Sequence, residues 1–407
     1  MTLLRGCRLL AALVLAASGC RGERLDTEPL ASAPVAGMSQ SADAALTVDP
    51  GSGDLLLSWV GGDERAWAVF FARSTDGGSS WSTSARVAGG PEAPGEVHPH
   101  GESSPRLVAG SGGRMALAWP TSVPVAGRKW PATMLRLARS ADGGRTWSAP
   151  TTLNDDTTGV PVSHQFHGAA WQGDSGLVVA WLDERHVAEM PAAAREAPGG
   201  EPDATIYAAV SPDFGGRWAP NVRLWGAACP CCRVSLARGP TGTVTAAWRQ
   251  HFPGSIRDVV IAPVEAEPRA PARVHEDEWA YPGCPHTGPA VAVTAPGVVH
   301  TAWYSGKPGA SGVFYRQLGS AGDSAGPLVP VLEADHVPTV HAAVVPLANG
   351  GALVAYDVGP GGGRVVRVAR ISPSGRRLAD ATVAGRRAAP SLSSHWCRRA
   401  SRCSPTR

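Results

Sequence analysis

Ser140-Ala-Asp-Gly-Gly-Arg-Thr-Trp147 decides how this chain is read, because near-copies of it stand at positions 74–81 and 211–218. All three follow the pattern S-x-D-x-G-x-x-W. The fixed positions are Ser74, Asp76, Gly78 and Trp81, then Ser140, Asp142, Gly144 and Trp147, then Ser211, Asp213, Gly215 and Trp218. In such a stretch the aspartate accepts hydrogen bonds from the amides ahead of it, glycine supplies a positive φ, and the tryptophan folds back over the turn. Short β-rich runs flank the copies, for example Phe70-Phe71-Ala72-Arg73 and Leu135-Arg136-Leu137-Ala138. Each copy therefore reads as a turn between two strands.

A second repeat runs through the rest of the chain. Apolar strands end in an aromatic at Trp59, Trp119, Trp181, Trp248, Trp303 and Tyr356, at intervals of 53 to 67 residues. A Gly-containing turn and another apolar strand precede each of them, as in Ala45-Leu46-Thr47-Val48 before Gly51-Ser-Gly-Asp54. Four strands per unit, repeated six times, predict an all-β chain: a six-bladed β-propeller of four-stranded antiparallel blades over residues 39–385. The 49 glycines and 36 prolines suit many short strands and tight turns.

The S-x-D-x-G-x-x-W signature is the Asp-box, or bacterial neuraminidase (BNR) repeat, and the chain resembles sialidase-like β-propellers. The stretch from Cys229-Pro-Cys-Cys232 through Trp248-Arg249, Arg257-Asp258 and Trp279 to Gly283-Cys284-Pro285 is also similar to exported sialidase-like propellers. The Asp-box is structural, and it points to architecture more than to activity. For a sialidase the resemblance implies three arginines on the substrate carboxylate, a tyrosine nucleophile activated by a glutamate, and an aspartate acid/base. Arg185, Arg249 and Arg257 are the arginine candidates, Asp183 or Asp258 the acid, and Tyr304 or Tyr281 the nucleophile. The chain departs from the pattern at positions 38–50, which contain no arginine where the first of the three is expected. The competing reading of these arginines is ordinary ion pairing, Asp183 with Arg185 and Arg257 with Asp258.

Because strands alternate in direction, the starts of all the first strands gather on one face and the Asp-boxes on the opposite one. That face collects His100, Glu102, His164, His167, His286 and His341, together with Cys229, Cys231, Cys232 and Cys284. In an exported protein these four cysteines read as two disulfides, for instance Cys232 with Cys284, although four cysteines allow three pairings. The alternative is a metal centre, since thiolates beside histidines suit copper or zinc. Adjacent residues in a strand point to opposite sides, which argues against Cys231 and Cys232 sharing an ion.

The ends of the chain read differently from its body. Residues 1–19 carry Arg5 and Arg8, an apolar core and Ser18-Gly19 directly before Cys20, which resembles a bacterial lipoprotein signal. Cys20 is then the lipid attachment site, and residues 20–38 form a tether. This predicts an exported protein held at the outer membrane, periplasm or cell surface by its lipid anchor alone. Residues 386–407 contain six arginines and no acid, and read as a basic, disordered tail, native or produced by truncation or a shifted frame. Without that tail and the signal, the formal charge of +3 becomes negative, so the body has no basic footprint for nucleic acid. No P-loop, dinucleotide fingerprint or HExxH motif occurs. The sequence thus predicts a monomeric propeller lipoprotein that binds a glycan or surface partner on the face opposite its Asp-boxes. An exo-sialidase or other glycoside hydrolase is the alternative, and a copper- or zinc-binding protein the second. The glycan-directed readings require no cofactor.

Overall fold

The computed structural model describes residues 40–383, apart from short stretches at 63–65, 94, 127–130, 158, 160, 188–201, 295–296, 320–321, 323–325, 338–339 and 360–364. The expected signal, Cys20, the tether and the basic tail lie outside the described residues. Among those described, no helix is long and apolar enough to cross a membrane.

Among the described residues, twenty-four strands follow one another as antiparallel meanders. The first sheet holds β1 (Gln40–Val48), β2 (Leu55–Gly62), β3 (Ala68–Ser74) and β4 (Ala85–Gly89). The second holds β5 (Arg106–Ala109), β6 (Met115–Val123), β7 (Ala132–Ser140) and β8 (Thr151–Thr152). An eight-stranded sheet comes next. Its first half is β9 (His164–Gln172), β10 (Gly176–Asp183), β11 (Ala204–Ser211) and β12 (Val222–Ala228). Its second half is β13 (Ser235–Arg238), β14 (Val244–Phe252), β15 (Ile256–Pro263) and β16 (Ala272–Arg273). One residue pair, Ala228 with Gln250, joins the halves. Two more four-stranded sheets follow: β17 (Ala290–Thr294) to β20 (Val329–Ala334) through β18 (Val298–Ser305) and β19 (Ser311–Gly319), then β21 (Ala342–Pro346) to β24 (Arg377–Thr382) through β22 (Ala352–Val358) and β23 (Val365–Ile371).

The aromatic that ends each apolar run sits in the second strand of its unit and is buried in every case. A buried indole N–H usually finds an acceptor, and four of the five indoles here do, Trp59 being the exception. Trp119 donates to the Glu96 carbonyl at 3.1 Å, Trp181 to Asp183 at 2.8 Å, Trp248 to Gln250 at 2.8 Å and Trp303 to Asp277 at 2.6 Å. Apolar clusters fill the space between consecutive units, so the meanders stack face to face. Phe71, Leu117 and Trp119, for example, join the first two sheets, and Ile261, Trp303 and Phe314 join β15 to β18 and β19.

The Asp-boxes close the turns after β3, β7 and β11 as expected. In the second box, Ser140 Oγ donates to Asp142 and accepts from the Gly144 amide at 2.9 Å, while Asp142 accepts from the Thr146 amide at 3.0 Å. Gly144 has φ 89°, and a Cβ there would meet the Phe71 ring at 2.3 Å. Trp147 lies edge-on to the same ring at 5.8 Å, so this box also fastens the second sheet to the first. The register pairs Ser211 with Leu177, and Leu177 with Trp171 near the end of β9. The boxes therefore lie at the ends of the first strands, away from the starts where His164 stands.

Gly312 shows how tightly β19 and β20 are paired. A Cβ at this position would fall 1.9 Å from the Leu332 carbonyl oxygen. Gly312→Ala must push the two strands apart, and we expect a loss of about 1–3 kcal/mol in urea denaturation, with no change in oligomeric state.

Candidate functional site

The first strands of all the units line one cavity of about 370 Å3, whose walls include Thr47, Arg106, Gly168, Arg233, Val291 and Ala343. At the end where these strands begin, a 3-10 turn over Gly101–Ser103 leads into β5 and buries the Glu102 side chain. Glu102 Oε2 accepts from the amides of Gly288 at 3.0 Å and Arg233 at 3.3 Å. Its Oε1 lies 3.0 Å from His341 Nε2 and 3.7 Å from Arg233 Nη1. One carboxylate thus ties together segments that precede β5, β13, β17 and β21. Burial alone would raise the Glu102 carboxyl, but Arg233 and His341 outweigh it and hold it well below the ordinary range. Burial likewise opposes the charge on His341, yet Glu102 raises its pKa above the usual imidazole value.

A second carboxylate at this site behaves in the opposite way. Asp43 sits at an irregularity in the β1–β2 register, with φ 55°. Its side chain is turned inward toward Arg106 and the His100 amide, but neither oxygen has a well-aligned hydrogen bond. Burial lifts its pKa to about 6, against smaller lowering from the His100 amide and Arg106. The guanidinium of Arg106 is pushed down to about 9 by burial first and by Arg233 second, and its buried Nη2 lacks a protein acceptor. His98 and His100 are brought down to about 4, chiefly by burial, and are neutral near pH 7. Their rings stack at 6.4 Å, and His100 stands 6.1 Å from the His286 ring.

The four cysteines come together without forming the disulfides that the sequence suggested: no disulfide joins Cys229, Cys231, Cys232 or Cys284 among the described residues. Cys229 Sγ lies 3.8 Å from Cys231 Sγ and 3.5 Å from Cys232 Sγ, and the last two are 3.9 Å apart. Cys231 also gathers with Cys284 and His286, their ligand atoms within 4.8 Å of one another. The expectation that Cys231 and Cys232 point apart is overturned because residues 230–232 form a turn rather than a strand, which lets successive side chains converge.

His100, Glu102, His286 and His341 therefore share one site. His164 and His167 do not take part in that cluster. His164 is buried, with Nε2 2.9 Å from Asp156 and Nδ1 3.0 Å from the Thr133 carbonyl. His167 bonds the Ala118 carbonyl at 3.0 Å, and burial lowers its pKa to about 3.

The sialidase candidates fall into separate structural clamps. Buried Asp183 accepts from Trp181, from the Arg185 amide and from the Arg185 guanidinium, while Arg185 also reaches Asp155 at 2.9 Å and lies over the Tyr207 ring. Arg249 is fully buried. It donates to the carbonyls of Arg257 at 2.6 Å, Tyr304 at 2.8 Å and Thr287 at 3.2 Å, above the Trp279 ring. Arg257 donates to the Tyr281 carbonyl, and Asp258 accepts from the amides of Glu278 and Trp279. The Tyr304 hydroxyl is buried and donates to the Val337 carbonyl at 2.7 Å. Tyr281 is exposed and stacks on Trp279. Among the described residues, Arg185 shares no hydrogen-bond partner with Arg249 or Arg257. The guanidinium groups that line the cavity, Arg106 and Arg233, were not among the candidates. The only local signal for Arg233 is its place after Cys-Pro-Cys-Cys, and Arg106 has none.

Residues 53–218 match the family model described as a BNR repeat-like domain. The fold is similar to the NanB sialidase of Streptococcus pneumoniae, at TM-score 0.51 and 10% identity over 81% of this chain and 67% of that one. A leech intramolecular trans-sialidase aligns at TM-score 0.50 and 12% identity over 82% and 67%. A Hadza microbial sialidase aligns at TM-score 0.47 and 16% identity over 78% of this chain, which spans 63% of that protein's length. A comparison with curated proteins finds no match.

Proposed function

With a sialidase-like BNR repeat region in this chain as the premise, we propose that its stacked sheets close into a six-bladed propeller that binds and hydrolyses acidic glycans at the mouth of the central cavity. The halves of the eight-stranded sheet are then separate blades, and the single Ala228–Gln250 pair is a contact between neighbours. On this reading the protein is exported and anchored at the cell envelope through Cys20, with its mouth turned to envelope or extracellular sugars.

Arg106 carries the proposal. It lines the cavity with Arg233, and its buried Nη2 has no acceptor among the described residues. A sugar carboxylate supplies the missing acceptor, and guanidinium groups match carboxylates in two-point geometry. Glu102 positions Arg233 and His341 and has little surface of its own for substrate. Asp43 has the properties of a general acid: below about pH 6 it holds a proton that it can deliver to a glycosidic oxygen as the bond to the sugar breaks.

The purified chain should release the fluorophore from a 4-methylumbelliferyl sialoside or glucuronide, with activity falling as pH rises through about 6. Asp43→Asn should lower kcat by about 100-fold or more. Arg106→Lys should raise KM by about tenfold, because an ammonium lacks the planar two-point fork. If neither sugar is turned over or gives a heat of binding in calorimetry, the reading fails. Binding without turnover would leave recognition standing and remove the hydrolytic step.

A further inference from the structure

We propose that the cysteine turn is a copper(I) site: Cys229, Cys231 and Cys232 hold one ion, and Cys231 bridges to a second held with Cys284 and His286. The inference does not depend on the glycan reading, because it uses other residues and another chemistry.

Three sulfur atoms around one ion at a metal–sulfur distance of about 2.3 Å stand about 3.8 Å apart in a tetrahedral set and about 4.0 Å apart in a planar trigonal one. The separations here are 3.5, 3.8 and 3.9 Å, whereas a disulfide would bring one pair to about 2.05 Å. The donors thus already have the spacing that an ion requires. They form two sets of three that share Cys231. Pure thiolate donors in threes suit a soft ion of low coordination number, which is the preference of copper(I) among biological metals.

Two further observations point to a ligand. His286 Nδ1 is buried and has no hydrogen-bond partner, so a donor atom beside the second set is unused by the protein. Charge is the other. Three thiolates on a monovalent ion carry a net charge of −2, which is costly in a site where each of these cysteines is almost fully buried. Arg249 and Arg257 stand close enough to Cys229 to act on its charge, and the buried Nη1 of Arg257 has no acceptor. Two cations beside an anionic thiolate cluster restore neutrality. Loading requires no oxidant or reductant when copper is supplied as copper(I). Each ligating thiol releases its proton to solvent as the Cu–S bond forms, and His286 binds through a neutral ring nitrogen.

The test is titration of the full chain, reduced and kept under argon, with copper(I) against bicinchoninate, followed by native mass spectrometry. The expected result is two copper ions per chain. Cys232→Ser should weaken the first ion by at least about 100-fold, the upper end of the losses seen when a metal's supporting partners are removed. Cys284→Ser removes a partly exposed thiol and should lower the count from two to one, even if Cys232→Ser fails to fold. In the metal-free chain unfolded in urea, residues 229, 231, 232 and 284 should all be alkylated by iodoacetamide without prior reduction. Retention of no copper, blocked alkylation through a disulfide among these four, or a copper count unchanged by Cys284→Ser would each overturn the proposal. So would zinc(II) held so firmly that excess copper(I) does not displace it.

Discussion

Arg249→Ala is expected to cost about 3–5 kcal/mol of folding stability, read as a lowered urea midpoint and melting temperature, while the rate per folded molecule on any substrate stays unchanged. Arg249 has no exposed surface, and it serves carbonyls of Thr287, Arg257 and Tyr304 from three different segments. Truncation leaves those carbonyls buried without a donor and opens a void beneath the Trp279 ring. Arg249→Lys would restore the charge but not the fork of donors, and should recover less than half of the loss. A sialidase-type role predicts the reverse pattern, a stable variant that has lost activity. The two measurements, stability and rate per folded molecule, therefore separate a structural arginine from a carboxylate-binding one.

The same residue shows what the sequence makes legible. The repeat was readable because it is local. Ser140, Asp142, Gly144 and Trp147 interact within one turn, and the aromatic that closes each apolar strand marks burial without any knowledge of its neighbour. Partners supplied by another sheet leave no such trace. Arg249 follows a buried tryptophan and looks like the first residue of a surface loop, yet β14 runs on to Phe252 and carries it inward. Asp43 lies among small residues with no motif, and only the irregularity in β1 turns it toward Arg106. Cys231 and Cys232 mislead for a related reason. Alternation of side chains holds in a strand, and theirs is a turn. His100, Glu102, His286 and His341 meet at one end, as strand alternation, itself a local rule, places them. His164 and His167 obeyed that rule and still point elsewhere, since each found a buried partner in the neighbouring second sheet or its flanking loop.

Glu102 should prove the most consequential single carboxylate for holding the first strands together. Glu102→Ala is expected to destabilise the chain by about 3–5 kcal/mol, because it leaves Arg233 and His341 without their counter-charge and the Gly288 amide without its acceptor. Glu102→Gln keeps the shape and one acceptor oxygen, so it isolates the charge. Its effect should depend on pH in a direction fixed by the two shifts. The Glu102 pKa is lower in the folded chain than its ordinary 4.5, so its contribution is present above that value and disappears as pH falls toward the folded pKa. The His341 pKa is raised above 6.5, so its contribution is complete below that value and is lost as pH rises through the folded pKa. The pair therefore stabilises the fold most strongly between about pH 4.5 and 6.5. Urea midpoints of the parent and Glu102→Gln, measured from pH 3 to pH 9, should differ most in that window, with the difference shrinking as pH falls below 4.5 and dropping above the folded His341 pKa to the share owed to Arg233. A difference that stays constant across the range would mean that Glu102 acts by filling space and accepting neutral hydrogen bonds. The mouth of the cavity would then owe its shape to packing, with Arg233 held by the backbone on either side of it.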